Sequence, residues 1–177
     1  SETEVLLTTS RVINEATSIE GLLNGVAEMA PLMGIDSVSL FRVVSWDDNN
    51  QPRTADFYTS RLEDESNIFS TIYSDGPVTK PEFISAVINA PNQAMIFEDA
   101  ADENRPMPPT FRENLVRQGF RGSVTTGLLS GGRVLGFLTL NSRETMELFP
   151  EHNIRILRDV LSEQVSSYLE NMRLMDQ

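Results

Sequence analysis

Ser39, Ser123, Thr125, Thr139 and Asn141 recur at alternate positions of three β-forming stretches, interleaved with Phe41, Val43 and Phe137. Alternate residues of a strand share one face, so these eight side chains describe a single surface. An apolar and aromatic wall carrying a few convergent hydroxyl and amide groups is what a small-molecule pocket requires. They are the candidate ligand-binding residues. The complementary positions, Val38, Leu40, Val124, Thr126, Leu128, Leu138 and Leu140, are mainly apolar and are expected to pack beneath helices.

Other reactive chemistry is thin. There is no cysteine, which removes disulfides, thiolate nucleophiles, cysteine zinc sites, iron–sulfur clusters and thioether attachment within these residues. His152 is the single histidine and stands beside Pro150 at a helix start, without partners that would make it a haem or metal ligand. Glu98, Asp99, Asp102 and Glu103 could offer oxygens to a hard cation, but they lack the ordered alternation of a calcium loop. They read as a solvated loop. Pro106, Pro108 and Pro109 stiffen the approach to a helix, and Trp46 reads as a residue of a hairpin edge. No catalytic set is expected.

The bulk composition agrees. The chain has 177 residues and a net charge of −12, from 26 acidic and 14 basic residues. Such a surface repels phosphate backbones and anionic lipids, so neither nucleic acid nor membrane is expected as a partner. No apolar run is long enough to span a bilayer, and the start Ser1-Glu2-Thr3-Glu4 lacks the features of a secretion signal. The chain is expected to be a segment of a larger cytoplasmic protein.

The elements that must position the candidate surface can be read along the chain. Val5, Leu6, Val12, Ile13 and Ala16 suit one stripe of a first helix. Thr17 and Glu20 form a capping box before a second helix, whose stripe is Leu22, Leu23, Val26, Met29, Ala30 and Met33 and which Gly34 ends. Residues 37–60 form a hairpin around Asp47-Asp48-Asn49-Asn50, with strands 37–44 and 54–60. Thr79 and Thr110 head two further capping boxes, for a short helix through Val87 and Ile88 and for a helix ending at Gly119. Between them lies a short strand, Gln93 to Phe97. Strands 123–129 and 133–142 are joined at Gly131-Gly132. Pro150 opens a long last helix with apolar residues at Ile154, Leu157, Leu161, Val165, Tyr168, Met172 and Met175. This order predicts an α+β fold on a mostly antiparallel sheet.

Gly119-Phe120-Arg121-Gly122-Ser123-Val124, then Leu128-Leu129, Gly132 and Val134-Leu135-Gly136-Phe137-Leu138-Thr139-Leu140, resemble the GAF domain family, relatives of PAS domains. Ile96-Phe97-Glu98-Asp99-Ala100 and Phe149 before the last helix are similar to further family features. The resemblance covers about residues 4–173. One departure is Gly127, where many members carry proline.

The resemblance implies one GAF/PAS-like domain over 4–173: terminal helices on one face of the sheet and, on the other, a ligand pocket. A lid from the segment between the second and third strands would cover that pocket. Residues 1–16 and 160–177 would be signalling and dimerisation helices, pairing as a parallel homodimer because Tyr168, Leu169, Met172 and Met175 would otherwise be exposed. The implied function is a non-enzymatic bacterial sensor of the two-component kind, binding a small molecule and relaying its state to an output module. The alternative is a ligand-free dimerisation and relay scaffold. The ligand is not specified. A covalently held bilin and the family's methionine sulfoxide reductase chemistry both need the absent thiol. Of the pattern typical of cyclic-nucleotide binders, Asn141 and Phe149 match, but Ser142, Asn153 and Ile154 do not.

Overall fold

The computed structural model describes residues 2–61, 67–73, 81–90 and 94–176. In chain order the elements are α1 (Glu2–Glu15), α2 (Ile19–Met29), a 3₁₀ turn (Ala30–Met33), β1 (Ser37–Trp46), β2 (Pro52–Arg61), β3 (Asn67–Tyr73), α3 (Pro81–Ile88), β4 (Ala94–Phe97), α4 (Pro109–Gln118), β5 (Gly122–Ser130), β6 (Arg133–Ser142), α5 (Glu151–Ile156) and α6 (Glu163–Met175). A π turn over Leu157–Ser162 joins α5 to α6, so the three run on as one rod. The strands form one antiparallel sheet in the order β3-β2-β1-β6-β5-β4. The expected α+β architecture is present.

Turn chemistry explains the hairpins. Gly131 and Gly132 both have positive φ, 56° and 80°, as the tight β5–β6 connection demands. The β1–β2 turn is held by the Asp47 carboxylate, which accepts hydrogen bonds from the backbone N–H groups of Asn49 and Gln51 at 2.8 and 2.9 Å. Gly34 and Gly119 terminate their helices in the left-handed region, at φ 73° and 81°.

Several helix starts differ from the sequence reading. The cap of α2 is Ser18, not Thr17: its hydroxyl accepts from Gly21 N–H at 3.0 Å. Helix α4 begins at Pro109, whose fixed φ suits the first helical position, so Thr110 lies inside the helix and does not cap it. The Thr79 box lies outside the described residues. Residues 67–73, expected as part of a lid, are an added edge strand paired with β2.

One side of the sheet carries the main core. Val38, Leu40, Val124, Leu128, Leu138 and Leu140 are buried there against Ile13 of α1, Leu22, Leu23 and Val26 of α2, and Leu157, Leu161, Val165 and Leu169 of the last helical rod. Alternation breaks once, beside Gly136. Leu135 joins this core while Val134 faces the other side, and the β5–β6 register shifts beside it. A β-carbon at Gly136 would lie 2.0 Å from the Phe41 carbonyl oxygen, so only glycine fits.

The terminal rod is covered more fully than expected. Leu169 is buried, and Tyr168 and Met172 pack on the domain's own core. Only Leu174 and Met175, 51% and 84% exposed, leave an apolar tip. Where the rod passes β5, the Ser162 hydroxyl donates to the Gly127 carbonyl at 3.1 Å.

Candidate ligand-binding site

The strand registers bring the candidate residues together row by row on the face opposite the main core. Thr125, Thr139, Ser39 and Thr59 stand side by side across β5, β6, β1 and β2, four hydroxyl residues in one line. Their hydroxyls pair locally: Thr125 with Thr139 at 3.0 Å, and Ser39 with Thr59 at 3.1 Å. On one side of this line lie Ser123, Asn141 and Ser37, also in register. The Ser123 hydroxyl donates to Asn141 Oδ1 at 2.7 Å. On the other side lie Phe137, Phe41 and Phe57. The Phe41 and Phe137 rings are tilted by 48° with centroids 6.0 Å apart.

Burial is nearly complete along the polar rows. Ser39, Ser123, Thr125 and Asn141 are buried, and Thr139 is partly buried. A buried hydroxyl with no partner costs free energy, so the pairing above is what makes this face tolerable. Ser37 is the exception. It is fully buried, and its Oγ has no hydrogen-bond partner among the described residues.

Of the eight candidates, seven fall in these three rows. Val43 does not: it is buried at the end of β1, where pairing with β2 shifts register, and borders a different cavity near the last helix. Ser37, Thr59 and Phe57 belong to the rows but were not foreseen. The period-two alternation of β2 carried onto the hairpin register would have found Thr59 and Phe57, and one more step back along β1 would have found Ser37.

Helix α3 covers part of the aromatic end. Val87 is fully buried and packs with Ile88 against Phe41, Phe137, Val134, Leu129 and Met95. A β-carbon at Gly127 would sit 3.6 Å from Val87 Cγ1, an ordinary contact. The departure from proline at this position therefore leaves the strand intact.

The acidic loop after β4 is exposed at Glu98 and Glu103, as a solvated stretch would be, but it is latched through Asp99 and Arg105. Asp99 is buried and bonded to Arg121, with Nη2 to Oδ2 at 2.7 Å. That guanidinium, together with the Ala101 N–H, holds the Asp99 carboxyl below its ordinary range. Arg105 bridges Glu98, Asp102 and Glu147. Arg112 donates to the carbonyls of Ala100, Asp102 and Arg105. Among the described residues no group of acidic or histidine side chains is arranged to hold a metal, and His152 is an exposed residue at the start of α5. Trp46 is more than a hairpin edge residue: it packs on the main core and its indole N–H donates to the Val134 carbonyl at 2.9 Å.

The family model of the GAF domain matches residues 20–169. The chain belongs to the GAF domain family. No curated protein matches it in sequence. The fold is similar to the phycocyanobilin-bound GAF domain of a cyanobacterial phytochrome, with TM-score 0.68 and 16% identity, covering 99% of this chain and 97% of that one. It is also similar to the chromophore-binding domain of an unusual bacteriophytochrome from R. palustris (TM-score 0.65, 10% identity, 99% and 62% covered). A third is the chromophore-binding domain of a substituted Stigmatella aurantiaca bacteriophytochrome in the Pr state (TM-score 0.64, 14% identity, 96% and 60% covered). This GAF domain thus spans about 60% of the length of those two bacteriophytochrome domains. At these identities the likeness is one of fold. No described helix is long and apolar enough to cross a membrane.

Proposed function

We propose that this GAF domain is a regulatory sensor, without catalysis of its own, that seats a small molecule on the face formed by the Thr125–Thr139–Ser39–Thr59 row. The single observation that carries the reading is Ser37 Oγ, a fully buried hydroxyl with no hydrogen-bond partner among the described residues, in the polar row beside Ser123 and Asn141. A ligand polar group would satisfy it, while Phe41, Phe57 and Phe137 supply the apolar wall. The solved relatives named above include a phycocyanobilin-bound domain, which fits a small-molecule role for the same fold. No cysteine is present in these residues to make a thioether, so a ligand attached to this chain through sulfur is not part of the proposal.

The relay would run through α1 and the α5–α6 rod, which grip the opposite side of the same strands. The ligand shifts an equilibrium only if it prefers one helix arrangement, and Val38, Leu40, Leu138 and Leu140 are the links that would transmit that preference. The output would be a module of a bacterial two-component protein in the cytoplasm. Residues 4–173 would form the domain, and residues 1–16 and 160–177 would pair in a parallel homodimer. Exposed Leu7, Leu174 and Met175 support that pairing.

A second reading, a relay scaffold without a ligand, is favoured by the mutual pairing of the hydroxyls and by the docking of α3 on Phe41 and Phe137. Native mass spectrometry of freshly purified protein separates the two. A sensor shows added mass that is lost on denaturation, and addition of the released molecule raises the melting temperature. Equal native and denatured masses, with no metabolite raising the melting temperature, would establish the scaffold.

A further inference from the structure

Three of the fourteen basic residues of this acidic chain meet in one cleft. The cleft, of about 440 Å³, lies where the end of β1 and the start of β6 meet the last turns of α6. Arg42, Arg133 and Arg173 line it, and Trp46 and Leu169 form its apolar wall. Trp46 cannot swing freely, because its indole N–H is held by the Val134 carbonyl and the Arg133 guanidinium lies 4.7 Å from its ring centroid.

The three guanidinium groups are under-used. Each offers five N–H donors. Arg133 spends one on Asn50 Oδ1, and Arg173 spends two on Glu170. Arg42 is the most telling. Its side chain is only 16% exposed and donates a hydrogen bond to the Tyr58 hydroxyl, while its ion pair with Asp176 Oδ2, at 3.6 Å, is too long for a hydrogen bond. Asp176 itself is 71% exposed and sits at the C-terminal cap of α6. The other acid on the lining, Asp47, has Oδ1 engaged by its own turn.

A largely buried cation facing a loosely held carboxylate is the arrangement expected where an external anion takes that carboxylate's place. We propose that this cleft binds a small oxyanion, a carboxylate or phosphate group, with Asp176 as its built-in stand-in. Arg42 and Arg133 come from the sheet and Arg173 from α6, so the bound anion pins the end of the helical rod to the strands. The site uses the opposite side of the sheet from the hydroxyl rows and does not depend on a ligand there.

Trp46 is the only tryptophan, which gives the cleft its own optical reporter. The experiment follows Trp46 fluorescence of the 177-residue chain during titration with inorganic phosphate and with citrate. Chloride at matched ionic strength serves as the screening control. The expected result is a saturable change with at least one oxyanion and none with chloride; which oxyanion acts names the class. Arg42→Gln should weaken binding by about tenfold or more. Asp176→Asn, at an exposed helix end where folding is not at risk, should tighten it by about threefold. A response that does not saturate, that chloride reproduces, or that Asp176→Asn leaves unchanged or weakens would overturn the proposal.

Discussion

The α-carbon of Gly136 passes so near the Phe41 carbonyl that an added β-carbon would lie 2.0 Å from its oxygen. Backbone cannot yield as a flexible side chain can. Gly136→Ala should therefore cost about 3 kcal/mol, read as a lower midpoint in urea unfolding. Gly127→Ala on the neighbouring strand meets only Val87 at 3.6 Å and should change stability by less than about 1 kcal/mol. Equal effects at the two positions would contradict the close approach.

The cap of α2 gives a sharper comparison between adjacent residues. Ser18→Ala removes the acceptor for Gly21 N–H and should cost about 1 kcal/mol. Thr17→Ala should be close to neutral. Thermal melts of the two variants decide which hydroxyl caps the helix.

The acid limb of stability should depend on Asp99. Its carboxyl is held below the ordinary value of 3.8, chiefly by its hydrogen bond to Arg121. A group whose folded value is depressed stabilises the fold fully above its unfolded value and loses that contribution as pH falls through the folded one. Melting temperature against pH should thus drop more steeply below 3.8 in the parent than in Asp99→Asn. The variant should already be less stable at neutral pH. Parallel curves would show that the Asp99–Arg121 pair does not act on stability.

Leu161 is fully buried between the rod and the sheet. Leu161→Ala should cost about 3 kcal/mol through lost burial and the cavity left behind. Leu174→Ala, at the exposed tip, should leave the melting temperature of dilute protein within about a degree, since it removes little buried surface. If Leu174→Ala instead lowers it in a manner that grows with protein concentration, the tip is an interface between copies.

The two-sided character of the sheet was legible from residue order, because alternation in 37–43, 123–128 and 137–142 is strict enough to sort side chains. Seven of the eight candidate residues accordingly fall on one face in register. The glycine pair at 131–132 likewise announced its turn through its freedom at positive φ. Other features depend on neighbours that are remote in the chain. The edge strand 67–73 exists through its pairing with β2. The cover over Leu169 is the domain's own core, which a helical stripe alone does not name. The bulge at Leu135 displaces the alternation of β6 by one residue, and its one mark in the sequence is the strand-interior glycine beside it, Gly136. The cap missed by one residue at Ser18 reflects two eligible residues standing together, whereas α4 starts at Pro109 with Pro108 at its cap position and no side-chain cap at all.

The wide turn at Leu157–Ser162 has a consequence for how the rod tracks the sheet. Leu157, Leu161, Val165 and Leu169 are spaced by four, whereas an α-helix returns to the same heading every 3.6 residues. An unbroken α-helix would carry that ridge steadily around its axis and away from the strands. A turn bonded five residues apart uses more chain per revolution and unwinds part of the rotation. Excising one residue between 157 and 162 would thus let the rod close to plain α geometry with Leu169 still facing the strands, whereas excising one between 163 and 168 would swing it by roughly 100° toward water.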